Sequence, residues 1–169
     1  MKRIVLYINP KSLNDATSHF IKIVNRAATE LGFVFLITES INNIKFGDII
    51  FTITTTNYIR GFFLRPFCKR IYWSQGIESE ESMMREKKIL KYYLKSLIEY
   101  IVLSLPSFKL FVSKAMLNHY KYKYNFNDKN NTIMPCYNLH YSKPLQKNLN
   151  RYENPSFVYA GSLSIWQNI

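Results

Sequence analysis

A chain of 169 residues, 47% hydrophobic and 16% aromatic, is of single-domain size and carries ample apolar side chains for a packed core, which excludes a disordered chain. Its formal net charge of +12 calls for an anionic partner: nucleic acid, a membrane leaflet or a phosphate-bearing substrate. No stretch approaches the ~18 consecutive apolar residues of a membrane span, and the apolar run after Met1-Lys2-Arg3 stops at Asn9-Pro10, too early for a signal peptide. A cytoplasmic chain is expected.

Ile4 to Ile8 is a continuous apolar run and reads as a first strand. After a polar loop from Asn9 to Ala16, Phe20, Val24, Ala27 and Leu31 recur at helical spacing, with Gly32 as the terminating glycine. Phe33 to Thr38 gives a second strand, and Asp48 to Thr54, rich in β-branched residues, a third. Asn57 to Leu64 reads as a short helix, Arg70 to Ser74 as the fourth strand. The longest helix is expected from Ser82 to Leu103, with Leu90, Leu94, Leu97 and Ile101 on its buried face and Lys88, Lys91, Lys95 and Glu99 on the other, stopped by Pro106. Lys109 to Ser113, a basic helix from Lys114 to Tyr124, and Thr132 to Met134 complete the series.

Strands that are apolar along their length and alternate with helices predict an α/β fold, a Rossmann-like parallel sheet with helices on both faces. In such sheets ligands sit at the carboxyl ends of the strands. Arg70 to Glu81 is therefore the central stretch: a buried strand opening into Gln75-Gly76 and three glutamates. Gly76 would permit a tight turn or a close approach of ligand. Glu78, Glu80 and Glu81 suit binding, but their plainer reading is capping at the positive end of a following helix.

Cys68 and Cys136 read as reduced thiols. In a parallel sheet they fall at opposite strand ends, roughly 15 Å apart, too far for a disulfide, which needs Cα atoms within ~7 Å; Cys136 would lie near Gln75 at the cleft edge. No Cys/His cluster has metal-ligand spacing, so no metal and no cofactor is expected. His19, His119 and His140 receive no role. Tyr137 to Pro155 is polar and linker-like, followed by strand-like Phe157 to Gly161, a turn at Ser162 to Ser164 and a helix start at Ile165 to Gln167.

In that order DIIFTITTT, YWSQGIESEE, LFVSKAM, IMPCYN and FVYAGSLSIWQ resemble bacterial glycosyltransferases of the GT-B fold, family 4 and its relatives. The resemblance implies two Rossmann-like domains facing across a cleft: residues 1–152 as the N-terminal, acceptor-side domain, and residues 153–169 as the end of the linker and first strand of a donor-binding domain, the chain stopping there as a truncated product. It implies a retaining hexosyltransferase that moves a sugar from a nucleotide sugar to a polysaccharide or lipid-linked acceptor in polysaccharide biosynthesis, this chain alone being inactive. Asn9 and Ser12 after the first strand, with Gln75, Gly76, Glu78 and Glu80, would line the acceptor side; Ser113 would touch the acceptor or only cap the next helix. Gly161 and Ser162 would face the donor diphosphate. The catalytic residues are not assigned. The chain departs from the family in having Asn9-Pro10-Lys11-Ser12 where a glycine pair is usual and Ser162 where a basic residue is common; the second domain's paired glutamates fall past Ile169.

Residues 85 to 124 hold nine basic residues against two acidic ones. Lys88, Lys91 and Lys95 on one helix would dock the chain peripherally on the anionic inner face of the cell membrane, or form only a solvated helix face. Tyr120 to Tyr124 interleaves tyrosines with lysines, as single-strand nucleic-acid binders do, but no nucleic-acid module accompanies it. A non-catalytic basic domain binding nucleic acid or anionic membrane is the alternative reading.

Overall fold

The structure, a computed structural model, describes residues 2–127 and 129–135, with Ser12, Asp15 and Ala16 placed by their backbone alone. The linker, Cys136, Gly161 and Ser162, and with them the division at residue 152, lie outside the described residues.

Six strands form one parallel sheet in the order β2-β1-β3-β4-β5-β6: β1 Arg3–Tyr7, β2 Val34–Thr38, β3 Ile49–Thr52, β4 Lys69–Ser74, β5 Phe108–Phe111 and β6 Asn131–Ile133. Five helices connect them: α1 Asp15–Glu30, α2 Thr55–Leu64, α3 Glu78–Glu86, α4 Ile89–Ser104 and α5 Lys114–Tyr124. The expected α/β fold with a Rossmann-like parallel sheet is thus what the chain adopts.

Right-handed crossovers determine which face each helix covers. The chain moves one way from β1 to β2 and the other way from β3 through β6, so α1 and the later helices lie on opposite faces. Side-chain alternation along β4 shows this directly. Trp73 packs with Phe20, Ile21 and Val24 of α1, whereas the adjacent Tyr72 packs with Tyr58 of α2 and Val102 of α4. Trp73 is the centre of the first core, stacked on Phe51 with ring centroids 6.1 Å apart and met edge-on by Phe20 at 6.2 Å. On the other face Phe111 gathers Leu103 of α4 and Met116, Leu117 and Tyr120 of α5.

The helix starts are dictated locally. Asn14, Thr54 and Ser113 each accept the backbone N–H of the residue three positions on, satisfying a donor that the helix leaves free. Cys68 is a buried free thiol at the amino end of β4, its acidity weakened by burial and by the Asp48 charge.

Two expectations need correction. The single helix from Ser82 to Leu103 is two, because Lys87 adopts a left-handed conformation, φ 52°, and its N–H closes α3 on the Met83 carbonyl. The chain then doubles back, and α4 packs against α3. The face of α4 is also reversed. Leu90, Leu94, Leu97 and Ile101 are exposed, while Glu99, Val102 and Leu103 are buried and Lys91 and Lys95 half-buried; Lys88 is exposed. The inner line is anchored by Val102 between Tyr58 and Tyr72 and by Glu99, whose carboxylate is bound from α3 and α5.

The buried line of α1 is likewise displaced from the expected set. Thr17, Ile21 and Ala28 are buried and Val24 half-buried, while Ala27 and Leu31 face solvent. Thr17 has to face inward because it hydrogen-bonds across to the end of β4.

Candidate functional site at the carboxyl edge of the sheet

The sheet order places a topological switch between β1 and β3, the two neighbouring strands whose following connections leave in opposite directions. Loops diverge there and open a crevice. A cleft of about 320 Å³ occupies this position, lined by Tyr7, Ile8 and Asn9 after β1, Glu39 after β2, and Thr54, Asn57 and Arg60 at the start of α2.

Its walls are held by the backbone. The Asn57 side-chain amide donates to the Tyr7 carbonyl at 3.1 Å, tying the first turn of α2 to the end of β1. Asn9 accepts the Lys11 N–H at 2.9 Å, which shapes the short 3-10 turn Pro10–Ser12 where the resembled family has glycines. Glu39 and Arg60 add one negative and one positive group at an exposed rim. Amide, carboxylate and guanidinium groups around a small polar cleft suit a ligand with several hydroxyls, or one that combines hydroxyls with an anionic group.

The structure divides the residues expected to act together. Asn9 lines the cleft. Gln75 does not reach it by itself: its side-chain oxygen accepts the Thr17 hydroxyl at 3.0 Å, joining β4 to α1. Glu78 satisfies the amino end of α2, accepting from the Thr55 N–H at 3.1 Å and the Thr55 hydroxyl at 2.9 Å. That helix end is consequently already neutralised by a carboxylate. Glu80 pairs with Lys123 at 2.7 Å, and although burial opposes its ionisation, the Lys123 hydrogen bond outweighs this and holds its acidity stronger than usual. Ser113 is the cap of α5. The three glutamates do occupy the first turn of α3, and for Glu78 and Glu80 the plainer expectation, packing and capping, describes the contacts observed.

Gly76 earns its place sterically. A side chain there would come within 1.8 Å of the Glu81 carboxylate, which lies over the glycine. Burial, and then the charge of Glu78, push the Glu81 carboxyl above its ordinary range. Because the obstacle is the far end of a flexible side chain, Gly76→Ala is expected to change stability by less than about 1 kcal/mol, swinging the Glu81 carboxyl outward and returning its titration toward the ordinary value. Carbon-detected NMR titration of the glutamates measures this; an unmoved Glu81 would contradict the steric account.

Behind this turn lies a buried polar cluster that sequence reasoning did not anticipate. The Gly76 carbonyl accepts from the Ser74 and Tyr120 hydroxyls, at 3.1 and 3.2 Å. Glu99, 2% exposed, accepts from the Ser79 N–H at 3.1 Å, the Ser79 hydroxyl at 2.6 Å and the Tyr124 hydroxyl at 2.7 Å. Lys123 donates to the Ser79 hydroxyl at 2.9 Å and lies over the Tyr92 ring, 4.6 Å from its centroid. Burial of Tyr120 and the nearby Glu99 charge hold its hydroxyl protonated far above the usual range. The Tyr-Lys alternation from Tyr120 to Tyr124 therefore serves the interior, with only Tyr122 and Lys121 left fully exposed.

The cleft residues Glu39, Thr54, Asn57 and Arg60 were missed. Their one signal is position, immediately after the second and third strands, and it acquires meaning only once the strand order is known. Comparison with protein-family models and with curated proteins finds no match to this chain.

Proposed function

We propose that the chain is the acceptor-side domain of a glycosyltransferase, its switch-point cleft receiving the hydroxyl-bearing acceptor. The cleft carries this reading: it lies where an open parallel sheet binds ligands, and its amide, carboxylate and guanidinium groups match the hydroxyls of a saccharide. The order of sequence motifs supports it independently. Asn9 and Asn57 would orient the acceptor, with Arg60 and Glu39 reading its hydroxyls or an attached phosphate. Gln75, Gly76, Glu78 and Glu80 would act by holding the cleft walls in register through α1, α2 and α5. The nucleotide sugar would be held mainly by a second domain, with Gly161 and Ser162 toward its diphosphate. Chemistry would consist of orienting the acceptor hydroxyl and stabilising the departing diphosphate.

NMR titration with a panel of soluble glycosides and nucleotide sugars tests this. Glycosides should shift the resonances of Asn9 and the Asn57 side-chain amide, and Arg60→Ala should weaken that binding about tenfold, the loss of a charge-assisted hydrogen bond. Glycosides that leave the cleft unperturbed, or submicromolar nucleotide-sugar binding by this chain, would overturn the assignment.

A further inference from the structure

The reversed face of α4 leaves an unusual surface. At about 100° per residue, Leu90, Tyr93, Leu94, Leu97, Tyr100 and Ile101 fall on one stripe of roughly 120° along the outside of the helix, with only Ser104 as a polar residue within it. Every one of them is exposed: Leu90 is 84% accessible, Tyr93 64%, Leu94 57% and Leu97 55%. An amphipathic helix normally buries such a stripe, and α4 instead turns inward the side that carries Glu99, because that side satisfies Ser79 and Tyr124. A contiguous apolar strip of this kind marks a contact surface.

We infer that α4 lies flat in the interfacial region of an anionic membrane, with its leucine stripe among the acyl chains. Sixteen residues make a helix of about 24 Å, and no helix among the described residues is long and apolar enough to cross a membrane. Such a helix binds in the plane of the surface, driven by its apolar face and by basic residues beside it. Those basic residues are present. Arg85, Lys87 and Lys88 are exposed at the amino end of α4 and the turn before it, while Lys91 and Lys95 lie half-buried on the inward half of the helix, Lys91 paired to Glu86. Long lysine stems reach upward from such a position to anionic headgroups while the leucines sink, and tyrosines suit the boundary between the two zones.

Charge favours an anionic leaflet over a second copy of the chain as the occupant, because a second α4 offers no free carboxylate. A two-fold pairing of α4 helices would set the basic end of one against the carboxyl end of the other. The only acid in α4 is Glu99, which is buried and bound. An anionic leaflet supplies the counter-charge that a second α4 lacks. The docking holds whatever the cleft binds, so it stands apart from the acceptor reading.

Co-sedimentation of the full chain with vesicles of phosphatidylcholine, alone or mixed with phosphatidylglycerol, gives the test. Binding is expected on the mixed vesicles, falling as salt rises. Leu94→Gln combined with Leu97→Gln should weaken it at least about tenfold, since each leucine loses a favourable apolar burial, while circular dichroism stays unchanged because both positions are exposed. Arg85→Glu with Lys87→Glu and Lys88→Glu, all at exposed positions, should also weaken binding to mixed vesicles. Wild-type binding by the leucine variant would overturn the inference. So would a wild-type chain that ignores vesicles but forms a dimer which the leucine variant dissolves, an outcome that assigns the stripe to a second copy.

Discussion

Trp73→Ala should destabilise the fold by about 3–5 kcal/mol, the usual range for deleting a large aromatic from a packed core. Trp73 has no accessible surface and joins β4 to α1 through Phe20 and to β3 through Phe51, so neither neighbour can move in without breaking the stack. Urea denaturation followed by far-UV circular dichroism measures the change as a lower midpoint at constant slope. Trp73→Phe should cost far less. The indole N–H has no hydrogen-bond partner among the described residues, and removing an unsatisfied buried donor recovers about 1–3 kcal/mol, which offsets much of the lost contact. A Phe variant as unstable as the Ala variant would show that the indole N–H is satisfied and that its geometry matters.

The second large effect is expected at Glu99. Glu99→Ala leaves the Ser79 N–H, the Ser79 hydroxyl and the Tyr124 hydroxyl without their acceptor in a buried site, at about 1–3 kcal/mol for each group that finds no replacement. A loss of at least about 3 kcal/mol is expected, because three buried donors lose their acceptor and Lys123, itself a donor to the Ser79 oxygen, cannot replace it. Glu99→Gln keeps one acceptor oxygen and should lose about half as much. The same substitution probes the orientation of α4. With Glu99 gone, the force that turns the leucine stripe outward is weakened, and hydrogen exchange of α3 and α4 should accelerate ahead of the sheet. Uniform exchange across both would mean that Val102 and Leu103 alone hold the helix.

How much of this was legible in the sequence differs from element to element. Every strand of the sheet was found, because most are short apolar runs bounded by turn residues, and local pattern is what such runs express. The parallel arrangement followed from their alternation with helices. The glutamates of α3 were correctly placed in its first turn, yet their partners, Thr55 and Lys123, are 23 and 43 residues away in sequence, and no spacing announces contacts of that range. For the same reason Gln75 and Asn9 were expected in one site, while the fold gives one to α1 and the other to the cleft.

The sequence by itself determined the element types and the caps at Asn14, Thr54 and Ser113, of which only Ser113 was read from it, since all of these arise from residues within a turn or two of one another. Only the tertiary structure decided the strand order, and with it the cleft at Asn57 and Arg60, because a crossover may land on either side of the first strand without changing its local pattern. It also decided which side of α4 faces inward. Periodicity identifies an apolar stripe but not what covers it, and here a buried carboxylate with three hydrogen bonds, together with Val102 and Leu103, prevails over four leucine and isoleucine side chains.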